Sequence, residues 1–286
     1  MRKLHVTVEP EWDGVRAGTY LKRKGISHRL LVDLKRRPGG MTRGSGLLRT
    51  VDVLHAGDTV TLCMEDVRSP EPNPALHVPV AYEDEDVVVF DKPTGMPVHP
   101  SQGHRGDTLA NAFAVHCPGL SFRPINRLDK DTSGLCVIAK NAYAAALLQQ
   151  SLDKTYFAVV DGTLEKDGII DAPIARAEGS VILRRVFPEG KRAVTEYTVL
   201  AACNGYTLVR VRLHTGRTHQ IRVHFSHIGH PLAGDDLYGG SMRDTSVQTL
   251  HCGQVRFMQP VTGLPLEFSS PLREDMRKLI GNIDII

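Results

Sequence analysis

A hairpin pattern in the second half of the chain restricts the fold more than any other sequence feature. Two runs of alternating apolar and polar residues, AVTEYTVLAAC and GYTLVRVRLHT, meet at the dipeptide Asn204-Gly205. This dipeptide favours a tight hairpin turn, because Asn and Gly both tolerate positive φ. Apolar runs such as DVVVFDKP, GLCVIAK and KTYFAVVDG alternate with helical patterns along the chain. The sequence therefore predicts an α+β fold with a mixed, largely antiparallel sheet flanked by helices and loops.

The 286 residues divide into two predicted domains joined by a linker. Residues 1–66 indicate a small α/β domain, in which two short helices surround Gly25 and a pair of strands surrounds Gly57. Residues 67–79 are rich in proline and lack periodicity, so they are predicted to form the linker. Residues 80–286 form the larger predicted domain.

Cap residues set the predicted ends of the helices in the larger domain. The segment DTLANAFAVHC is expected to begin at the cap Asp107, and NAYAAALLQQSL at the cap Asn141. The segment RTHQIRVHFSHIG is expected to be a helix that ends at Gly229, with Arg222 free to reach a carboxylate on a neighbouring strand. The residues expected to share another face of this helix are Arg217, Gln220, Ile221, His224 and Ile228.

Basic residues are concentrated near the start of the chain, although the net charge is only +3. Clustered lysines and arginines displace condensed counterions from nucleic acid, so this run predicts contact with a phosphate backbone; a solvated helix face is the alternative. A second basic stretch, RRVFPEGKR, is either a phosphate-contacting loop or a solvated hairpin tip. The predicted phosphate contacts are Lys22, Arg23, Lys24, Arg29, Lys35, Arg36, Arg37, Lys191 and Arg192.

Several classes of protein are disfavoured by the composition. No window holds the ~18 consecutive apolar residues of a membrane helix, and the start, MRKLHVTVEPEWDG, is too polar for a signal peptide. The five cysteines are widely spaced, and the spacing of His219, His224, His227 and His230 matches no standard zinc site. We therefore expect a cytoplasmic monomer that needs no metal and has no contact with membranes.

The segment PINRLDKDTSGLCVIAK carries the strongest chemical signal. It places Asp129 two residues after Arg127, at the mouth of a predicted strand. A guanidinium favours the charged form of a nearby carboxyl, which could then act as nucleophile or base. The alternative is structural, with Asp129 or Asp131 capping the turn and Arg127 pairing with one of them.

Several long motifs in the right order resemble the RluA-type RNA pseudouridine synthases. INRLDKDTSGL and the later HTGRTHQIRVHFSHIGHPLAGDDLYGG are similar to the two main motifs of that family. DKPTGMPVHP, TLANAF, KTYFAVVDG and GKRAVTEYTVL also match, so that the resemblance runs from about residue 80 to residue 275. Residues 15–62 resemble an S4-type RNA-binding module through their helix-helix-strand order, their basic residues and the segment AGDTV.

The resemblance implies an enzyme that isomerises specific uridines in structured RNA to pseudouridine without a cofactor. Ribosomal RNA is the first expected substrate and transfer RNA the second. Asp129 would be the catalytic carboxylate, either attacking the sugar or removing a sugar proton. Arg222 would pair with it in bidentate fashion, while Tyr156 would pack on the target base and Ile221 would close the opposite wall. Arg127 would fill the space that the flipped base leaves.

One residue departs from the family pattern. Asn126 stands where the family usually has His, which puts a local contact in question, such as one that positions RNA. It also leaves room for a catalytically silent RNA-binding or ribosome-assembly protein on the same scaffold. A third alternative is a glycosidase-type enzyme that releases free uracil, because the predicted chemistry takes place at C1′ of the sugar.

Overall fold

The first part of the chain forms a separate four-stranded antiparallel sheet. The computed structural model describes residues 2–65 and 69–281, so positions 67 and 68 of the predicted linker, together with residues 1, 66 and 282–286 of the predicted domains, lie outside the described residues. The strand order is β1-β4-β2-β3. The elements are β1 (Arg2–Thr7), α1 (Ala17–Arg23), α2 (His28–Arg36), β2 (Met41–Arg43), β3 (Gly46–Leu47) and β4 (Thr59–Met64).

Both short helices pack apolar residues against this sheet. Tyr20, Leu31 and Leu34 are buried together with Leu62 of β4, and Ser27 caps α2 by accepting a hydrogen bond from the third residue of the helix. The predicted pair of strands around Gly57 is wrong in its first half. Both edges of β4 are already occupied, one by β1 and the other by β2, so the segment before Gly57 forms turns instead.

The rest of the chain forms a nine-stranded sheet with helices on its surfaces and a small two-stranded arm. Its elements in chain order are β5 (Val80–Glu83), β6 (Val87–Lys92), α3 (Leu109–His116), β7 (Ser133–Ala139), α4 (Ala142–Ser151), β8 (Asp153–Asp161), β9 (Gly168–Asp171), β10 (Ile174–Arg176), β11 (Arg184–Val186), β12 (Val194–Cys203), β13 (Tyr206–Leu213), α5 (Gln220–His227), β14 (Leu250–Met258), β15 (Pro265–Ser269) and α6 (Glu274–Leu279). Strands β10 and β11 form the arm.

The order of the large sheet is β5-β6-β7-β14-β8-β13-β12-β9, and β15 pairs with β14. Strands β7 and β14 are parallel, whereas the other described pairs are antiparallel. The prediction of an α+β fold with a mixed, largely antiparallel sheet is confirmed. Every residue of β7 is buried, which places the strand that follows the PINRLD segment at the centre of the protein.

Local sequence signals set most element ends. Asn204 and Gly205 have φ of 55° and 80°, as the predicted hairpin turn between β12 and β13 requires. Helix α3 begins one residue later than predicted: Thr108 is its cap, through reciprocal bonds with Asn111, while Asp107 pairs with a histidine three residues before it.

Helix α5 begins at Gln220, so the predicted helical face that included Arg217 is wrong. The Gln220 side chain accepts hydrogen bonds from the Thr215 hydroxyl and from the Arg217 backbone N–H, both at 2.9 Å. These bonds hold the residues before Gln220 as a loop. His219 has a left-handed backbone conformation (φ 56°), which prevents the helix from extending back into that loop.

The two sheets are joined by polar contacts and by packing. Arg2 donates two hydrogen bonds to Asp86 at 2.9 and 3.1 Å, and the Tyr143 hydroxyl donates to the carbonyl of Lys24 at 3.3 Å. Tyr143 also packs against the apolar core of the first sheet. Among the described residues, no helix has the length and apolar character needed to cross a bilayer.

Candidate active site

One recess in the large sheet brings together five residues from distant parts of the sequence. Its walls come from the loop before β7, from β8 and from the start of α5, and its empty volume is about 360 Å³. The predicted residues that line it are Arg127, Asp129, Tyr156, Ile221 and Arg222.

The loop that carries Asp129 is held by the backbone beneath it. The Thr132 N–H donates to the Asp129 carbonyl at 3.2 Å and closes a turn. Gly134 then enters β7 with φ of 104°, and a Cβ at this position would lie 2.3 Å from the carbonyl oxygen of Cys252. Only glycine permits this close approach of β7 to β14. The Thr-Ser-Gly sequence therefore fixes the direction in which Asp129 leaves the sheet.

Lys92 stabilises the same loop from the interior of the protein. Its ammonium donates to three backbone carbonyls, those of Pro93 at 2.8 Å, Met96 at 2.7 Å and Lys130 at 3.0 Å. The residue is only 1% exposed, and burial lowers the pKa of Lys92 to about 8. Because Lys130 directly follows Asp129, Lys92 connects the end of β6 to the loop of the carboxylate. The sequence showed Lys92 only as part of a matching motif.

Asn126 is a structural anchor. It is buried; its Nδ2 donates to the Leu135 carbonyl at 3.0 Å, and its Oδ1 accepts from the Val137 N–H at 2.8 Å. Both ends of the amide thus bind the backbone of β7. The polar atoms of its side chain are thus directed into the sheet, which agrees with the expectation that a local contact, such as one that positions RNA, is in question at this position.

Arg222 joins two carboxylates, and its arrangement differs from the predicted one. The bidentate partner is Asp235, whose oxygens accept from Nε and Nη2 at 2.7 Å each. Asp129 receives one longer contact, from Nη1 at 3.3 Å. The expectation that the bidentate pair would form with Asp129 is therefore wrong. Asp235 binds the guanidinium through Nε and Nη2. The remaining nitrogen, Nη1, is the one that contacts Asp129.

Asp235 is the functional residue that sequence reasoning missed. Its side chain is 1% exposed and that of Arg222 is 11% exposed, so the pair is buried. Burial alone would lower the pKa of Arg222, but the hydrogen bonds and charge of Asp235, and then the charge of Asp129, raise it. The acid was visible in the motif GDDLYGG, but its distance to Arg222 depends on the path of the chain after α5.

Tyr156 and Ile221 form the apolar walls. Both are buried, and Tyr156 lies on β8 opposite Cys252 of β14. Burial raises the pKa of Tyr156 well above its ordinary value, so its hydroxyl stays protonated at neutral pH. The wall can therefore offer an aromatic face and a neutral hydroxyl to a bound base.

His219 lines the polar side of the recess, and Tyr238 contacts it from outside the lining. His219 Nε2 lies 3.8 Å from Asp129 Oδ2, and its Nδ1 lies 2.8 Å from the Tyr238 hydroxyl. The sequence had raised His219 as one of four histidines whose spacing matches no standard zinc site, with polar helix histidines that bind backbone or phosphate as the ordinary interpretation. Two other histidines of that spacing have separate partners: His224 binds Thr195 and Ala172, and His230 binds the Asp161 carbonyl.

Among the residues that the structure describes, one group of side chains outside this recess has the atoms to bind a metal. Ligand atoms of Glu83, His116 and Cys117 lie within 4.8 Å of one another. Lys140 donates to Glu83 at 2.8 Å, and burial raises the pKa of the Cys117 thiol to about 11. A carboxylate already paired with an ammonium, beside a protonated thiol, is a poor metal site.

The predicted phosphate contacts do not line the recess: seven lie in or directly after α1 and α2, and Lys191 and Arg192 follow the arm. Lys24 forms an ion pair with Glu9, and Arg37 pairs with Asp33 at 2.9 Å. Arg192 lies 3.7 Å from a carboxylate oxygen of Asp171. The exposed members are Lys22, Arg23, Arg29, Lys35, Arg36, Lys191 and Arg192. Their contact with RNA stays a prediction.

An acid kept beside a guanidinium, in a recess with an aromatic wall, suits an enzyme that acts on the bond between a base and its sugar. On this sheet topology, that class is the RNA pseudouridine synthases. The family described as RNA pseudouridylate synthase matches residues 86–227. The chain belongs to this family, in its RluA-type branch, and it isomerises uridine to pseudouridine in RNA.

Individual relatives cover most of the chain. An uncharacterised RNA pseudouridine synthase of Bacillus subtilis, YlyB, is 45% identical over 80% of this chain and 81% of its own length. The ribosomal large subunit pseudouridine synthase D of Pseudomonas aeruginosa is 40% identical over 86% and 84%, respectively. The solved structure of human RNA pseudouridylate synthase domain containing 1 superposes with a TM-score of 0.60, at 26% identity, over 75% of this chain and 91% of that one.

Proposed function

We propose that the substrate is a uridine in large-subunit ribosomal RNA, with transfer RNA as the second candidate. The observation that carries the proposal is the similarity to ribosomal large subunit pseudouridine synthase D, which extends over 86% of this chain in the Pseudomonas aeruginosa relative. Because that match leaves out only about a seventh of the chain, it includes part of the first sheet as well as the large sheet. The enzyme acts as a cytoplasmic monomer in this proposal.

Asp129 is the reactive carboxylate in the proposed mechanism. The bond between uracil N1 and C1′ breaks, the base rotates, and a bond forms between C5 and C1′; the proton on C5 is lost and N1 gains one. Asp129 either attacks C1′ or removes a sugar proton, and both roles require its charged form. Arg222 Nη1 lies 3.3 Å from the Asp129 carboxylate.

The walls of the recess hold the uracil during its rotation. Tyr156 presents its ring and neutral hydroxyl from one side, and Ile221 closes the other. A base can reach this position only after it leaves its stack, which costs a few kcal/mol. Arg127 is exposed at the mouth of the recess, and its planar cation suits the gap that the base leaves.

A basic groove between the two sheets supports the proposal that the first sheet, as an S4-like module, guides the RNA. The groove has about 1830 Å³ of empty space between α2 and α4. Arg29, Arg36 and Arg37 line it on one side, and the segment 121–125 lines it on the other. That segment leads along the chain directly to Arg127. Asp33 and Glu65 also line the groove, and each has a carboxylate oxygen within 3.8 Å of the Arg37 guanidinium.

Tritium release tests the activity and the target together. The protein is incubated with large-subunit ribosomal RNA or with transfer RNA, each transcribed without modifications and tritiated at C5 of uracil. Asp129→Asn should abolish release and keep RNA binding, while Asp131→Asn, in the same turn, should keep most of the activity. Release from transfer RNA alone would contradict the ribosomal assignment. Free uracil among the products would indicate a glycosidase.

The silent-scaffold alternative requires a separate experiment in cells. A strain without the gene is complemented with the wild-type protein or with the Asp129→Asn variant. Pseudouridine mapping of total RNA then shows which sites depend on the gene. Full rescue of growth by the variant, with the sites unmodified, would assign the cellular role to RNA binding.

A further inference from the structure

His219 occupies an unusual backbone position beside the catalytic carboxylate. Apart from Asn204, it is the only residue other than glycine with positive φ among those the structure describes. Asn204 lies in a hairpin turn, where an amide is tolerated. The left-handed region is uncommon for residues other than glycine, and such conformations tend to persist where a site depends on them. Here the conformation directs the imidazole into the recess.

Each ring nitrogen of His219 faces a group that favours either a bare or a protonated nitrogen. Nδ1 lies 2.8 Å from the Tyr238 hydroxyl, and that oxygen already accepts a hydrogen bond from the Arg184 backbone N–H at 3.1 Å. Burial raises the pKa of Tyr238, so the phenol keeps a proton that it can donate to Nδ1. Nε2 faces Asp129 Oδ2 at 3.8 Å, where a lone pair would be repelled and an N–H attracted.

We propose that His219 is a positioning residue for Asp129, fixed by Tyr238 in the tautomer that presents Nε2–H to the carboxylate. The proposal rests on the catalytic role of Asp129 given above. Burial lowers the pKa of His219, as do the charges of Arg222 and Arg184, against the opposing effects of Asp129 and Asp235. The ring is therefore a neutral donor. The 3.8 Å separation shortens to a hydrogen bond when RNA fills the recess.

This arrangement also connects the arm to the active site. Arg184 is the first residue of β11, and the arm carries the exposed apolar residues Val181 and Ile182 at its tip. The chain of contacts runs from the Arg184 N–H to Tyr238, then to His219 and Asp129. The guanidinium of Arg222 lies over the Tyr238 ring at 4.9 Å and holds the ring in place.

Histidine tautomers can be read directly by nitrogen NMR, without any RNA. In protein labelled with ¹⁵N-histidine, the His219 signals are assigned by their loss in His219→Gln. We expect a bare Nδ1 and a protonated Nε2 near neutral pH, and a shift toward the other tautomer or an exchanging mixture in Tyr238→Phe. A wild-type ring protonated at Nδ1, or one that Tyr238→Phe leaves unchanged, would overturn the inference.

Single-turnover kinetics with RNA provide the second test. The amide nitrogen of Gln reaches the place of Nε2, whereas that of Asn reaches only as far as Nδ1. His219→Gln should stay within about threefold of wild type, while His219→Asn and His219→Gly should lose about 10- to 100-fold in rate with unchanged RNA affinity. His227→Gln, exposed at the end of α5, is the matched control.

The glycine variant separates positioning from a structural role. Glycine relieves the left-handed strain, so His219→Gly should unfold at a urea concentration no lower than wild type despite its slow reaction. Equal rates for the Gln and Asn variants would overturn the inference. If the wild-type enzyme released no tritium from any RNA, the proposed function would fail. The NMR experiment would still test the tautomer of His219, because it needs no RNA.

Discussion

The buried pair of Arg222 and Asp235 makes a quantitative prediction for Asp235→Asn. The substitution keeps the size of the side chain and one neutral acceptor, but it removes the charge that accepts two hydrogen bonds at 2.7 Å. Hydrogen bonds to charged groups contribute about 1.5–3 kcal/mol each, and breaking one side of a buried ion pair costs about 3–5 kcal/mol. Arg222 keeps Asp129 at 3.3 Å, so we expect a loss of about 2–4 kcal/mol.

Urea unfolding at pH 7 measures this loss, with Asp236→Asn as the matched control. Asp236 is the next residue along the chain and is exposed, so its substitution should leave the unfolding midpoint unchanged. In tritium release, Asp235→Asn should also lower the rate about 10- to 100-fold, because the guanidinium loses the partner that orients it toward Asp129. Equal unfolding free energies for the two variants would refute the view that Asp235 holds Arg222 in place.

Three further predictions concern the support of the same site. Gly134→Ala should destabilise the fold by about 1–3 kcal/mol more than Gly57→Ala, measured by urea unfolding: both positions have positive φ, but only the first meets a backbone oxygen at 2.3 Å. Lys92→Met should leave three carbonyls without their donor. We expect it to lower the free energy of unfolding by about 2–4 kcal/mol and to slow tritium release. A variant as stable and active as wild type would contradict this. Burial lowers the pKa of His251 below 6.5, so the unfolded chain binds a proton at this residue at a higher pH than the folded chain does. Stability should therefore fall as the pH drops below about 6.5. Urea midpoints from pH 7.5 to 5 should show a shallower slope in His251→Asn.

The sequence determined the local features of this protein. The Asn204-Gly205 turn, the caps Ser27 and Asn141, and the apolar run that became β7 follow from backbone preferences and apolar patterning, which act within a few residues. The family motifs carried the prediction of the catalytic aspartate and its tyrosine and arginine neighbours, since spacing within a motif is preserved with its chemistry.

Only the tertiary structure decided how the charged groups are shared. Asp129 and Asp235 are far apart along the chain, and no local rule says that Arg222 gives two of its N–H directions to the second acid and one to the first. The position of His219 likewise depends on a single left-handed residue where a helix had been predicted. Ion-pair geometry follows from where several distant segments meet, and that meeting is fixed by packing across the sheet, not by the residues beside each charge.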